Sequence, residues 1–366
     1  MRTIEKPRIV CFATQGSGSR DEDRIRQLLD PLDPHVVDFR RGQRIRNALA
    51  LLLGIRARDP DIVVMEGTGI SGGMVLLLLR ILFGTPYIVS SGDAVAPFIR
   101  IRSRAAGIVG GVYERALYRL SGGFIGWSPY LVGRALTFGA PRSMTAPNWS
   151  ELSAGEGGHA IRRRLGIPEE ALVFGIVGSL NWSTRYRYCY GCELVRAAMT
   201  FERDDLRILI VGDGDGRERL IEMAGTHAGR SILFPGPVPR AQVGAYLDAM
   251  DVASLPQSVD GVGAFRYTTK ISEYLAASLP IVTGELPLAY DLDDGYLWRL
   301  PGDAPWDEQY LSALAHLMTT VTREELASRR PSAAHAELFD AERQRHQVSA
   351  FVLDVLDREC YRRPKV

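Results

Sequence analysis

The sequence predicts an α/β protein of two Rossmann-like domains, each a parallel sheet covered by helices. Three observations predict it. Short β-branched runs alternate with helical stretches in both halves, the pattern of strand–helix–strand units. The chain has 366 residues, enough for about two domains of ordinary size, and 46% of it is hydrophobic, enough for two cores. Between the halves, residues 148–158 (NWSELSAGEGG) are polar and glycine-rich and read as a linker.

In the first domain, residues 1–150, strands are expected over 8–13, 35–39, 61–66, 87–90, 123–127 and 144–146, with helices filling the gaps. In the second, residues 159–330, strands are expected over 172–177, 207–211, 232–234, 252–255 and 281–283. A helical stretch over 331–358, within a last segment 331–366, is expected to cross back onto the first domain.

Charge and composition narrow the function classes. The formal net charge is +1, but residues 1–150 carry 20 basic and 12 acidic side chains, against 24 and 31 in the remainder, so the two domains present unlike surfaces. Four cysteines without a signal peptide point to a reducing, cytoplasmic setting. The apolar run 74–83 is interrupted by Arg80 and is too short to span a bilayer. The six histidines show no metal spacing, and no metal site is expected.

The segment 268–282, TTKISEYLAASLPIV, is the most informative. Only three of the 44 basic side chains are lysines, and one of them, Lys270, sits here. Lysine acts on phosphate as a compact point charge where arginine acts as a planar fork. Glu273 stands at i+3, where helical neighbours meet. Such a pair is ordinarily a solvated helix face worth a few tenths of a kcal/mol. Here, however, the helix is short, mostly apolar and entered from a glycine-rich loop, and its starting N–H groups and dipole suit an anion. The lysine would hold a diphosphate and the glutamate a ribose diol.

Four segments in order, GIVGSL (175–180), ILIVGDGDGRERL (208–220), ILFPGPVPRAQVGAYLDAMDVASLPQ (232–257) and TTKISEYLAASLPIV, resemble the donor-binding domain of GT-B glycosyltransferases, most similarly the family 4 group. Residues 113–141 carry a weaker resemblance in the first half. The resemblance implies two Rossmann-like domains facing across a cleft, with a nucleotide-diphosphate sugar as co-substrate, UDP preferred to GDP, and no other cofactor. It also implies retention of configuration and independence of metal.

Carried over to this chain, the resemblance assigns Glu273 to the ribose hydroxyls, and Lys270 with the backbone at Thr268 and Thr269 to the diphosphate. It assigns the main chain of Val238 to the nucleobase, Gly178 and Ser179 to the first loop of the donor site, and Gly261, Val262 and Gly263 to the transferred sugar through backbone amides. Phe265 stands where the family has an acidic residue eight positions before the ribose glutamate. Ser179 stands where it has a basic one, and Arg185 or Arg187 would replace that charge. Asp93 stands in place of the family's histidine and would contact acceptor or sugar, or simply shape a turn.

Weaker signals complete the reading. The loop 14–23, with Gly16, would border the diphosphate. Asp213 and Asp215 are expected to shape a turn and cap a helix, and Cys189 and Cys192, a lone CxxC, to be buried thiols. Arginines at 40, 41, 44 and 46 precede NALALLLGI, and arginines at 100, 102 and 104 precede AAGIVGGVYERALYRL. Basic amphipathic helices favour an anionic membrane surface, and buried helices with arginine ends fit the same pattern. Aromatic interleaving for nucleic acid is absent. A glycosyltransferase acting on a glycan, lipid-linked or natural-product acceptor is the expected function. The alternatives are an inactive GT-B partner protein, which Phe265 favours, and a nucleotide-sugar 2-epimerase.

Overall fold

The computed structural model describes residues 6–40, 42, 44–152 and 157–362, so Arg41 of the first basic segment and residues 153–156 of the linker lie outside the described residues. The chain divides into two compact units. One comprises residues 1–148, 265–267 and 339–366, the other residues 149–264 and 268–338.

The first unit runs β1 (Ile9–Ala13), α1 (Arg20–Leu29), β2 (His35–Val36), α2 (Arg44–Arg56), β3 (Ile62–Glu66), α3 (Ile70–Phe83), β4 (Tyr87–Ser91), α4 (Val95–Arg102), α5 (Arg104–Arg119), β5 (Gly123–Gly126), α6 (Pro129–Thr137) and β6 (Ser143–Thr145). Its strands are parallel in the order β2-β1-β3-β4-β5-β6. Every residue of β1, β3 and β4 is buried, which is why IVCFA, IVVM and YIV read as apolar runs, with the buried polar Glu66, Ser90 and Ser91 only at the carboxyl ends. The second strand is shorter than the expected 35–39. Past Val37 the chain bonds to the loop after β1 instead, with Ser17 N–H donating to Phe39 O and Phe39 N–H to Ser17 Oγ.

At the carboxyl ends of these strands Arg24 is buried against Glu66 at 2.6 Å, and it also donates to Ser90 Oγ and Ala146 O. Trp127 Nε1–H donates to the other Glu66 oxygen. These hydrogen bonds offset part of the cost of burying a charge pair.

The second unit runs α7 (Gly158–Leu165), β7 (Leu172–Val177), α8 (Cys192–Ala198), β8 (Leu206–Val211), α9 (Arg217–Ala224), β9 (Ile232–Gly236), α10 (Val243–Asp248), β10 (Val252–Leu255), α11 (Thr269–Ala276), β11 (Ile281–Gly284), α12 (Pro287–Asp291), β12 (Leu297–Leu300), α13 (Glu308–Thr320) and α14 (Arg323–Ser328). The parallel order is β12-β11-β10-β7-β8-β9. The sheet edge β12 was not expected. Its LWRL is a half-exposed edge strand without the apolar run of the others.

The tail is not one helix over 331–358. Residues Ala333–Phe339 form a 3-10 segment, Asp340 Oδ1 accepts from Arg343 N–H, and α15 (Ala341–Arg362) starts there. This last helix packs on α1 within the first unit. It also lies so close to β5 that a methyl group at Gly123 would sit 2.8 Å from Phe351 Cζ, which is why the strand begins with glycine. No helix among the described residues is long and apolar enough to cross a membrane.

Candidate functional site

In the second sheet the strand order reverses between β7 and β10, and at such a switch point the loops leaving neighbouring strands part to leave a crevice at their carboxyl ends. The residues brought to that crevice are Gly178, directly after β7, and α11, which follows β10.

Lys270 lies in the first turn of α11. A methyl group at Gly178 would come within 2.9 Å of both its Cε and its Nζ, so the ammonium rests directly on the backbone after β7. Its other flank is Tyr190, whose ring centroid is 4.3 Å from Nζ. Such a cation–π contact helps to fix the side chain. The helix is capped by Thr268 without a side-chain bond, and Thr268 Oγ1 is buried without a hydrogen-bond partner. Glu273, half-buried, sits on the same face one turn along.

The loop after β7 is pinned by the loop after β8. Gly178 N–H donates to Val211 O, Leu180 N–H to Asp213 O, Gly216 N–H to Leu180 O, and Trp182 N–H to Asp215 Oδ1. Asp215 therefore ties two loops together; the cap of α9 is Gly216, with no side-chain bond.

The loop carrying Tyr190 and the helix carrying Lys270 converge on one buried carboxylate that the sequence reading missed. Tyr188 O–H and Gly191 N–H donate to Glu193 Oε2, which holds the loop carrying Tyr190. Ser254 Oγ–H donates to Glu193 Oε1, and Tyr274 O–H of α11 donates to Ser254 O, which holds the helix carrying Lys270. Glu193 is fully buried. Burial raises its pKa, against the lowering effect of the Tyr188, Gly191 and Ser254 donors.

The folded form of such a group keeps its proton above the pH at which the unfolded chain has lost it. Its stabilising contribution is complete below the ordinary carboxylate pKa and is lost as pH rises through the folded value. Glu193→Gln removes that loss. Denaturant midpoints measured from about pH 4 to 8 should shift in the variant's favour, relative to the natural protein, as pH rises; a difference independent of pH would refute the assignment.

The remaining expected residues are placed as follows. Val262 and Gly263 N–H groups both donate to Asp260 Oδ1 at 2.8 Å, so they would have to change partner to meet a sugar. Gly261 and Ser179 are exposed, and Val238 is half-buried in the loop after β9. Arg185 lies over the ring of Tyr186, which stacks on Trp306 at 4.5 Å. Arg187 is exposed with a left-handed backbone, φ 49°. Cys189 and Cys192 are buried free thiols with sulfurs 3.9 Å apart.

In the first unit, Gly16 adopts φ 105° in a turn whose N–H donates to Ala13 O. Asp93 accepts from Arg266 Nε–H at 2.5 Å, and its own N–H donates to Ser91 Oγ. Phe265 does not stand free as a lost acid would: its ring packs against the first unit's core, Arg134 lies 5.6 Å over it, and Ser128 Oγ–H donates to its carbonyl.

The fit of Lys270 against Gly178 makes a selective test. Gly178→Ala meets only the flexible end of a side chain, so stability should change by less than about 1 kcal/mol. The displaced ammonium should lower diphosphate affinity by about tenfold, read by thermal unfolding and by titration with UDP. Unchanged UDP affinity would refute the placement.

Residues 171–319 match the family model described as "Glycosyl transferases group 1". Comparison with curated protein sequences gives no match. Among solved structures the chain is similar to Anabaena HepE in complex with UDP, at 14% identity and TM-score 0.68, covering 95% of this chain and 100% of that one. It is similar to sucrose-phosphate synthase from Thermosynechococcus elongatus, at 15% identity and TM-score 0.72, covering 96% and 99%. A glycosyltransferase from Rickettsia africae aligns at 11% identity and TM-score 0.67, covering 96% and 99%. Likeness at these identities establishes the GT-B fold.

Proposed function

We propose that this GT-B protein, whose second unit carries a glycosyl transferases group 1 domain, moves a sugar from a nucleoside-diphosphate donor, UDP preferred, to an acceptor hydroxyl. The observation that carries the reading is the Lys270 ammonium, held between Gly178 and Tyr190 at the switch point of the second sheet, with Glu273 one turn further along the same helix. A diphosphate placed there would meet the ammonium, the uncapped N–H groups of α11 and the unpartnered Thr268 hydroxyl together. The ribose would lie over Glu273, whose two oxygens suit a diol. HepE was solved with UDP and with UDP and glucose, which supports uridine as the nucleoside here.

The reaction is then bond cleavage between the sugar and the diphosphate, with negative charge growing on the departing oxygen. Catalysis consists of positioning and of stabilising that charge with groups already in place. Retention and independence of a metal go with the family resemblance.

Calorimetric titration with UDP, GDP and ADP, with chelator present, tests the reading. UDP should bind most tightly, and the matching sugar nucleotide should be hydrolysed slowly when no acceptor is supplied. Failure of all three nucleotides to bind would overturn it. Binding without hydrolysis or transfer would instead support the inactive-partner reading, which the aromatic residue at Phe265 favours.

A further inference from the structure

We infer that the first unit carries a docking surface for an anionic lipid bilayer, formed by α2, α3, α4 and α5. The crossovers β2 to β3, β3 to β4 and β4 to β5 all step the same way along the sheet, so right-handed connections place their helices on one face. There α2 packs on α3, α3 on α5 and α4 on α5. The α4–α5 hairpin is tight, since a methyl group at Gly107 would lie 2.7 Å from Arg100 Cβ.

The outer side of these helices is apolar. Ile45, Leu49 and Leu53 form an i, i+4, i+8 stripe along α2, and Ile70, Met74, Leu78 and Ile81 continue the pattern on α3. On α5, Ile108 and Val109 are 67% and 69% exposed. Most of the exposed large apolar side chains among the described residues sit on these four helices. Stripes of this kind, on helices whose other side already fills the core, are the mark of a surface that meets an apolar phase.

Charge selects the occupant. Arg46, Arg56, Arg100 and Arg104 are exposed among the apolar residues. The Arg56 guanidinium lies 4.2 Å over the Phe83 ring, joining the α2 and α3 stripes. The four helices contain a single carboxylate, Glu114, which is fully buried and paired with Arg134. Beside α2 a cavity of 780 Å³ is lined by Arg40, Arg46 and Arg58, with Asp38 the one acid. A second copy of the chain would set arginine against arginine with no carboxylate to answer, because a two-fold interface pairs a patch with itself. Nucleic acid would leave the aliphatic stripes in water. A bilayer of anionic lipid meets both, with headgroup phosphates at the arginines and acyl chains at the stripes.

The test is flotation of the full chain with vesicles of phosphatidylcholine containing one third phosphatidylglycerol, compared with phosphatidylcholine alone. The chain should float with the mixed vesicles, bind the neutral ones about tenfold more weakly, and detach as salt is raised. The double variant Ile81→Asp, Ile108→Asp changes only exposed positions. It should reduce flotation by at least about tenfold, with circular dichroism and UDP titration unchanged. Those two controls separate this inference from the donor-site reading. It is overturned if the natural chain does not float with mixed vesicles, or if the double variant floats equally well. It is likewise overturned if light scattering without vesicles shows a dimer that the double variant breaks, which would make a second copy the occupant.

Discussion

Lys270→Ala should lower the rate of sugar transfer, or of donor hydrolysis, by about 10²- to 10³-fold, the loss expected when one preorganised donor is removed from a developing anion. Two features place the effect at the high end. The ammonium is half-buried, so its field is less screened than a surface charge, and it is held on both sides, by the Gly178 backbone and the Tyr190 ring, so little reorganisation is needed. Affinity for uridine should be nearly unchanged, because the proposed placement puts the diphosphate and not the nucleoside at the lysine. Lys270→Arg should restore little, since a planar fork is bulkier than the ammonium that fits against Gly178. Steady-state rates beside titrations with uridine and with UDP read all three effects. Equal loss of rate and uridine affinity would place the lysine elsewhere.

Glu273→Ala should weaken UDP binding by roughly 1 to 3 kcal/mol, about 5- to 150-fold, through loss of hydrogen bonds to a charged acceptor. A chemical counterpart sharpens the experiment. The natural protein should bind 2′-deoxyuridine diphosphate more weakly than UDP, whereas Glu273→Ala should bind the two alike, because the proposed function makes the hydroxyl and the carboxylate partners in one interaction. If the variant still discriminates, the ribose lies against another group and the donor is turned around in the site.

Much of this arrangement is legible in the sequence, for a physical reason. Strands buried on both faces are apolar at nearly every position, so runs such as IVCFA, IVVM and LVFGIV announce themselves. Lys270 and Glu273 were legible because helical spacing is local. What surrounds them was not. Tyr190 lies in a run read for its arginines, and Glu193 appears in sequence only as the residue after a cysteine. That one carboxylate ties the loop carrying Tyr190 to the helix carrying Lys270 is a property of tertiary packing, and no spacing rule reports it. Phe265 shows the opposite limit: aligned as a missing acid, it has a local reason to be aromatic, since its ring covers the first unit's core. The helices α2 and α5 were readable in sequence either as buried helices with arginine ends or as surface-seeking ones, and which of their apolar side chains turn outward is visible only in the structure.

The path of the chain has a consequence for biosynthesis. Helix α15 packs on α1 and against β5 in the first unit, yet it is translated after the whole of the second unit. At about 5 to 20 residues per second, the ribosome spends roughly 10 to 40 seconds between completing residue 148 and reaching residue 339. Through that interval the surfaces of α1 and β5 that α15 will cover lack it, while the intervening segment can already collapse around its own strands. The amino-terminal half is thus the last to be finished, and nascent chains stalled before α15 are where chaperone contact should concentrate.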